Sequence, residues 1–304
     1  FNNLDEDKIS RLKREKNLSK ILFIIISKSG NTIETLANAF ALNIIKKKSK
    51  NIILISEKKN NLLFSLSKKL NLFYIEHKSF IGGRFSVLSE VGLVPAYLMG
   101  LNLIELRSKT LEFLKRKHKL FLKNSIIKIV NLINSKKFNS YIFLNYAPEL
   151  EKFLLWLQQL IAESLGKRNK GLLPVISNAP KDHHSLLQLY LDGPKDKIFY
   201  IFSTKGNLKE KININNNFGV KSFLNKKKIG AIKNAQKKAL IKSLIQKNIP
   251  FRQLEINKTD EKNLGNLFSY FIIETIIIGK LLNINPFDQP AVEQVKVYTK
   301  ELLT

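Results

Sequence analysis

Two segments of the sequence carry side chains that could transfer protons. Glu163 lies four residues after Gln159 on an apolar helical pattern, which places the carboxylate and the amide one turn apart on the same side of a helix. His184 follows a Pro-Lys-Asp turn and carries an imidazole, which exchanges protons near neutral pH. Each residue also has an ordinary structural explanation, because a helical glutamate is usually a surface residue and an isolated histidine often caps a turn.

Two further segments offer cations. Arg84 stands in the Gly-Gly-Arg sequence at 82–84, where a permanent charge could face an anionic intermediate and the glycines allow close backbone approach. Lys296 follows Gln289 by seven residues, so both lie on one face of a helix that Pro290 could begin. The alternatives are a structural ion pair for the arginine and a solvated side chain for the lysine.

The segment Ser-Lys-Ser-Gly-Asn-Thr at 27–32 could bind a phosphate. It lies where an apolar strand should end and a helix begin, so free main-chain N–H groups and the hydroxyls of Ser27, Ser29 and Thr32 could surround one anion. The spacing matches neither a Walker loop nor a dinucleotide-binding fingerprint. The alternative is a simple helix start capped by Thr32 or Asn31.

Hydrophobic runs alternate with helical patterns, which is typical of an α/β fold with parallel sheets. The expected strands are 21–26, 51–55, 72–76, 140–145, 173–176, 197–202 and 251–256. The expected helices are 32–47, 62–70, one starting near 87, 110–134, 149–164, 231–247, 260–282 and 291–302. The stretch 204–228 is rich in Lys, Asn and Gly and breaks the pattern. Two similar α/β lobes in tandem are therefore predicted.

Composition restricts the possible functions. The chain has 304 residues, 44% of them hydrophobic, and no cysteine, which excludes disulfides and thiolate sites and fits a reducing compartment. Its four histidines make a His-rich metal centre unexpected. The net charge of +28 comes overwhelmingly from lysine along the whole chain, which favours a solvated surface over specific nucleic-acid binding. The apolar run 267–282 contains Glu274 and Lys280, so a buried helix is expected there, and no membrane association.

Together these segments resemble the glucose-6-phosphate isomerase family. The matching segments are Ser-Lys-Ser-Gly-Asn-Thr-Ile-Glu-Thr at 27–35, Gly-Gly-Arg-Phe-Ser-Val-Leu-Ser-Glu-Val-Gly-Leu at 82–93, Gln-Gln-x-x-x-Glu-Ser-x-Gly-Lys at 158–167, His-Ser-Leu-Leu-Gln at 184–188 and Phe-Asp-Gln-Pro-Ala-Val-Glu-Gln-Val-Lys at 287–296. The resemblance implies two sugar-isomerase (SIS) type lobes with C-terminal helices. The implied division is 1–125 for the first lobe, 126–258 for the second and 259–304 for the C-terminal helices.

The resemblance also implies an activity and a site. The activity is interconversion of glucose 6-phosphate and fructose 6-phosphate through a cis-enediol, in glycolysis and gluconeogenesis, by a cytoplasmic homodimer with a shared active site and no cofactor or metal. The implied catalytic residues are Glu163 as base, His184 from the neighbouring subunit and Lys296 in ring opening, and Arg84 beside the reacting carbons. The implied substrate contacts are Ser27, Lys28, Ser29, Thr32, Gln159 and Gln289.

Two departures from the family pattern qualify this expectation. Val295 stands where the family usually has glycine before the lysine, and it could crowd the approach to Lys296. Only 26 residues precede Ser27, whereas family members have an earlier strand-turn-helix unit with a Gly-Gly-Ser phosphate contact, so an N-terminal truncation and a missing strand of the first sheet are expected. The competing hypothesis is a SIS module that binds sugar phosphates without catalysis.

Overall fold

Two compact units make up the chain, Phe1–Leu103 and Ile104–Thr304. The computed structural model describes residues 3–205, 210–214 and 223–304. The stretch 204–228, predicted to be irregular, lies partly outside the described residues. Helix Arg116–Asn134, which the predicted boundary at 125 would split, packs against helix Glu261–Leu281 within the second unit. The three-part division 1–125, 126–258 and 259–304 stays a prediction.

The first unit contains a three-stranded parallel sheet in the order β1-β2-β3. Its elements are α1 (Glu6–Glu15), β1 (Phe23–Ile26), α2 (Ile33–Ala41), β2 (Ile52–Glu57), α3 (Leu62–Leu70), β3 (Phe73–His77) and α4 (Glu90–Leu98). The central strand is rich in β-branched and leucine side chains, and Ile52, Leu54 and Ile55 are fully buried. This core fixes the carboxyl ends of the strands, where ligand-binding loops of parallel sheets lie.

The second unit contains a four-stranded parallel sheet in the order β5-β4-β6-β7. Its elements are α5 (Leu103–Arg107, starting at the last residue of the first unit), α6 (Arg116–Asn134), β4 (Ser140–Asn145), α7 (Glu151–Leu165), β5 (Leu173–Asn178), α8 (Leu187–Asp192), β6 (Lys197–Thr204), α9 (Ile229–Gln246), β7 (Phe251–Ile256), α10 (Glu261–Leu281) and α11 (Ala291–Leu303). Aromatic side chains dominate this core, including Tyr141, Phe143, Tyr200 and Phe202. The parallel α/β architecture predicted from the sequence is confirmed.

Helix α10 is a core helix of the second unit. By length and composition it is the one helix of the described residues that could cross a membrane, but it packs against α6 and α7 and buries Tyr270, Phe271 and Glu274. Arg252 binds the Glu274 carboxylate through two hydrogen bonds of 2.7 and 2.8 Å, and its guanidinium stacks 3.8 Å from the Tyr200 ring centroid. Since a buried charge needs such a partner, this pair is part of the scaffold.

Three helix boundaries differ from the prediction by three residues or more. Helix α2 ends at Ala41 instead of 47, because Asn43 and Lys48 adopt left-handed backbone angles of φ 52° and 57°. A helix expected near 87 begins at Glu90 and follows a 3-10 turn, Gly83–Leu88. A helix expected from 110 begins only at Arg116, after a second 3-10 turn. Hydrophobic periodicity does not detect such tight turns, since they continue the pattern of the following helix.

Candidate active site

The segment 27–32 forms a loop between β1 and α2 that is lined by hydroxyl groups. Ser27 is buried at the end of β1, and its Oγ lies 2.7 Å from Thr32 Oγ1 and 3.4 Å from the Thr32 main-chain nitrogen. Thr32 occupies the N-cap position of α2, yet its side chain makes no capping hydrogen bond. Asn31, the other candidate cap, accepts a hydrogen bond from the Leu62 N–H instead. The N-terminus of α2 therefore keeps donors for an anion, which supports a phosphate cradle.

Gly30 allows the tight turn of this cradle. Its φ is +68°, and a Cβ atom at this position would lie 1.9 Å from Asn61 Oδ1. The same oxygen accepts the Phe64 N–H and caps α3, while Asn61 Nδ2 donates to the Glu57 carbonyl. Only glycine fits both the backbone angle and the close neighbour.

The cation of the cradle is held by a buried carboxylate. Lys28 Nζ lies 3.5 Å from Glu57 Oε1, and the Glu57 N–H donates to the Lys28 carbonyl at 3.0 Å. Lys59 contacts the other oxygen of Glu57. Ser29 is exposed, and its Oγ accepts the Asn31 N–H at 3.3 Å. Sequence reasoning missed Glu57, although an acidic residue at the carboxyl end of a predicted strand could have identified it.

Arg84 lies in the 3-10 turn that follows β3 in the first unit. Its side chain is buried, with 2% of its surface exposed, and its guanidinium lies 5.2 Å from the ring centroid of Phe85. An arginine is rarely buried to this extent unless its charge is engaged. Burial is expected both for a guanidinium that faces an anionic intermediate and for a structural ion pair, so the role of Arg84 stays a prediction.

Glu163 lies at the edge of a cleft in the second unit. The Gln159 amide donates to Glu163 Oε1 at 2.8 Å, as the one-turn spacing on α7 predicts. Glu163 is half-buried, close to the end of α7 at Leu165. The cleft has a volume of about 720 Å³. Its lining comprises Glu163, Gly166, Lys167, Arg168, Asn169, Lys170, Ile284, Asn285, Asp288, Gln289, Pro290, Ala291, Val292 and Val295.

The cleft brings together two of the predicted site residues, Glu163 and Gln289. Its walls are joined by Lys167, whose Nζ donates to Asp288 Oδ1 at 2.7 Å and to the Asn285 carbonyl at 2.5 Å. Sequence reasoning assigned no role to Lys167 or Asp288, although both stand inside the matching segments. Their pairing connects positions 121 residues apart, which local sequence patterns do not contain.

The two adjacent histidines have different surroundings. His183 Nε2 lies 2.7 Å from the Tyr146 hydroxyl, and burial lowers the pKa of His183, which the nearby His184 lowers further. Burial also raises the pKa of Tyr146, so this hydroxyl keeps its proton and can donate a hydrogen bond to His183 Nε2 or accept one from it, depending on the imidazole tautomer. His184 is exposed at the surface. His183 is thus part of the local structure, whereas His184 is accessible to a ligand.

Lys296 lies outside the lining of the cleft. Its Nζ contacts Glu293 Oε1 at 2.7 Å on the same helix, and both side chains are exposed. The preceding residue, Val295, lines the cleft instead. The structure therefore brings the expected Gln289 to Glu163, but it places Lys296 in a surface ion pair of α11.

Two parallel α/β units, one with a hydroxyl-lined loop before a helix and one with a carboxylate at the edge of a cleft, fit the phosphosugar isomerase class. A glucose-6-phosphate isomerase of Methanocaldococcus jannaschii is 32% identical over 97% of this chain and 75% of its own length. One from Campylobacter jejuni is 32% identical over the whole chain and 77% of its own length. A solved glucose-6-phosphate isomerase of Chlamydia trachomatis, 19% identical, matches the fold with a TM-score of 0.80 over 99% of this chain and 62% of that one.

The sequence model of one family, phosphoglucose isomerase, matches residues 1–304. This chain belongs to the phosphoglucose isomerase family. The family resemblance, the SIS-type fold and the prediction of an isomerase are confirmed. The roles of the individual residues stay predictions.

Proposed function

We propose that this chain interconverts glucose 6-phosphate and fructose 6-phosphate through a cis-enediol intermediate. The observation that carries the proposal is the half-buried Glu163 carboxylate, oriented by Gln159 at the edge of a cleft that Gln289 also lines. Isomerisation of an aldose to a ketose requires one base that removes a proton from C2 and returns it to C1. A positioned carboxylate of this kind contributes about 10²–10⁴-fold in rate.

The first unit would supply phosphate binding and charge stabilisation. Ser27, Ser29 and Thr32 belong to the loop that leads into α2, whose N-cap makes no side-chain hydrogen bond, and Lys28 of the same loop lies near Glu57. Their hydroxyl and ammonium groups would bind the phosphate together with the N-terminus of α2. In the second unit, Gln289 would add a phosphate contact. Arg84 would stabilise the enediolate, an interaction for which the loss of one donor costs roughly 2.7–4 kcal/mol.

Ring opening would depend on His184 and Lys296. His184 is exposed and so accessible to a partner subunit, and the family resemblance implies a homodimer in which each site receives this histidine from the other chain. Lys296 would leave its surface ion pair with Glu293, a change that costs about 0–1 kcal/mol. A cytoplasmic location is proposed with this function, and the cysteine-free composition fits its reducing conditions.

A non-catalytic sugar-phosphate-binding module is the alternative, and it is not favoured. Such a module would need the cradle of the first unit, but it has no use for the carboxylate of Glu163 in the cleft of the second unit. Family membership with glucose-6-phosphate isomerases also favours catalysis over binding alone.

The decisive experiment separates turnover from binding. The purified chain is given fructose 6-phosphate, and glucose 6-phosphate is followed by a coupled dehydrogenase reaction while calorimetry measures binding. We expect turnover that falls when the protein is diluted to monomer. Binding without turnover would identify the non-catalytic module, and a fully active monomer in sedimentation would contradict the shared active site.

A further inference from the structure

The two ends of the segment that carries Arg84 are joined by an imidazole and a carboxyl group. His77 is the last residue of β3, and Glu90 is the first residue of α4. The two are in direct contact through His77 Nδ1 and Glu90 Oε1. Residues 78–89 therefore form a loop whose two ends are tied together.

His77 also contacts the interior of this loop. Its Nε2 lies 3.0 Å from the main-chain carbonyl oxygen of Ile81. A carbonyl oxygen and an ionised carboxylate can only accept hydrogen bonds, so the imidazole donates to both when each ring nitrogen carries a proton. Glu90 Oε1 accepts in addition the Lys78 N–H at 3.3 Å. One buried ring thus connects the end of β3, the start of α4 and the middle of the loop.

The pair is too buried to be an ordinary surface contact. His77 is 1% exposed, and the Glu90 side chain is 21% exposed. If one partner were removed, the other would become a buried polar group without this hydrogen bond, and the fold would be destabilised. A simpler role for Glu90 is to stabilise the N-terminus of α4, where negative charge is favourable. That role predicts an effect on stability but no link to Arg84.

Hydrogen bonds between residues close in sequence connect the His77–Glu90 pair to the turn that carries Arg84. Ile81, whose carbonyl His77 holds, directly precedes the Gly-Gly-Arg sequence at 82–84. The turn that follows is closed by Phe85 N–H to the Gly82 carbonyl at 2.9 Å, Ser86 Oγ to the Gly83 carbonyl at 2.6 Å and Ser89 Oγ to the Ser86 carbonyl at 2.8 Å. Because glycines 82 and 83 have no side chains to pack, the turn depends on its anchors.

We propose that His77 and Glu90 are positioning residues that hold the turn of Arg84 in the orientation needed for catalysis. The inference rests on the proposed function, because Arg84 has an enediolate to stabilise only if the chain isomerises sugar phosphates. Neither residue needs to touch the substrate. Their effect is on the placement of a guanidinium, and a displacement of about 1 Å at a catalytic group can cost on the order of 10² in rate.

The test is a double-mutant cycle on the purified chain with fructose 6-phosphate as substrate. Glu90→Gln keeps the size of the side chain but replaces the carboxylate with a neutral amide oxygen, which is a weaker acceptor for the His77 ring. We expect kcat to fall roughly tenfold with KM changed less than about twofold. In an Arg84→Lys background, where the fork of the guanidinium is already lost, the same change should lower kcat by less than about twofold. Non-additivity of this size is the signature of action through Arg84.

A second variant and a control keep the test informative if Glu90→Gln folds poorly. His77→Asn places an amide nitrogen near the position of Nδ1, which keeps the contact with Glu90 and loses the one with Ile81, and kcat should fall by a smaller factor. Glu76→Gln removes an exposed carboxylate of the same strand, which forms a surface ion pair with Lys78, and kcat should stay unchanged. Thermal unfolding of each variant identifies loss of fold.

The outcomes distinguish the two proposals. An active wild type whose kcat is unaffected by Glu90→Gln and His77→Asn would overturn the positioning role alone. Equal losses in the wild-type and Arg84→Lys backgrounds would also overturn it, because they would show an effect independent of Arg84. A wild type that binds fructose 6-phosphate without converting it would refute the proposed isomerisation and, with it, this role for the pair.

Discussion

The cradle of the first unit and the proposed proton-transfer groups of the second unit are built in opposite ways. Ser27 is 4% exposed and bonded to Thr32, and the Lys28 ammonium lies against the buried Glu57. In the second unit, by contrast, Glu163 is half-buried and His184 is exposed at the surface. Ser27, proposed to bind phosphate, is thus part of the protein core and Lys28 is paired with a core carboxylate, whereas Glu163 and His184, proposed to move protons, lie at the surface.

This difference has a physical reason. An anion site works by holding donors in place before the ligand arrives, so its members can also stabilise the fold. A proton-transfer group must reach the substrate and change its charge, which a fully buried and paired side chain does only at high cost. The second unit does contain a buried carboxylate, Glu274, but its bidentate pairing with Arg252 makes it structural. Stability and activity should therefore be coupled in the first unit and separable in the second.

The largest expected effect tests this separation at Glu163. Glu163→Gln keeps the contact with Gln159, since the new amide oxygen can still accept, but it removes the base. We expect kcat to fall by about 10²–10⁴-fold while KM for fructose 6-phosphate changes little. The midpoint of thermal unfolding should shift by less than about 2 °C, because the residue is outside the core. Steady-state kinetics and calorimetry on the same preparation measure both.

Glu151→Gln is the matched control, because Glu151 is an exposed glutamate in the first turn of the same helix. It should leave kcat unchanged. If Glu163→Gln retained more than about a tenth of the wild-type turnover, the loss would fall short of general base catalysis, and Glu163 would not be the base. If it unfolded the protein, the proposed separation of activity from stability would be wrong.

Most of the architecture could be predicted from the sequence, together with the kinds of side chain in the candidate site. Alternating apolar runs and helical patterns predicted the strands and their parallel arrangement, because burial on both faces requires continuous hydrophobic segments. The same pattern predicted that the loop 27–32 lies between a strand and a helix, whereas phosphate binding by this loop stays a prediction. The spacing of Gln159 and Glu163 predicted that the two side chains lie one turn apart on the same side of a helix, and the structure adds a hydrogen bond between them.

Contacts between distant segments could not be predicted in this way. The hydroxyl pairing of Ser27 and Thr32 is local, but Asn61 occupies the space above Gly30 only after α3 has packed beside the loop. The bridge from Lys167 to Asp288 depends on the same kind of tertiary contact. The early end of α2 depends on left-handed residues that hydrophobic periodicity does not detect. These features depend on three-dimensional packing, which local sequence patterns do not specify.

The coupling expected in the first unit is tested at Gly30, with an intermediate effect. Gly30→Ala adds the strain of a left-handed alanine and displaces Asn61 from its capping position on α3, so the free energy of unfolding should fall by roughly 2–4 kcal/mol. The same change should raise KM for fructose 6-phosphate, because the cradle shares this turn. Denaturant unfolding and kinetics report the two effects.

Gly100→Ala is the control for backbone strain alone. Gly100 has a similar φ of +81°, and among the described residues no atom beyond its chain neighbours would lie within 4 Å of an added Cβ. Only about 1–2 kcal/mol should therefore be lost, with KM unchanged. Equal effects of the two substitutions would show that the contact with Asn61 is unimportant. An unchanged KM in Gly30→Ala would show that substrate binding does not depend on the stability of this turn, and the proposed coupling would be wrong.

The smallest expected effect is at Glu293, the surface partner of Lys296. Both side chains are more than half exposed, so Glu293→Gln should change the free energy of unfolding by less than about 0.5 kcal/mol. It should not lower kcat, because a lysine needed for ring opening is released by the loss of its partner.

Lys296→Gln should be equally harmless to stability and should lower kcat. Equal losses of kcat in both variants would instead make the ion pair itself the functional unit, since the charge of the lysine alone could not explain them.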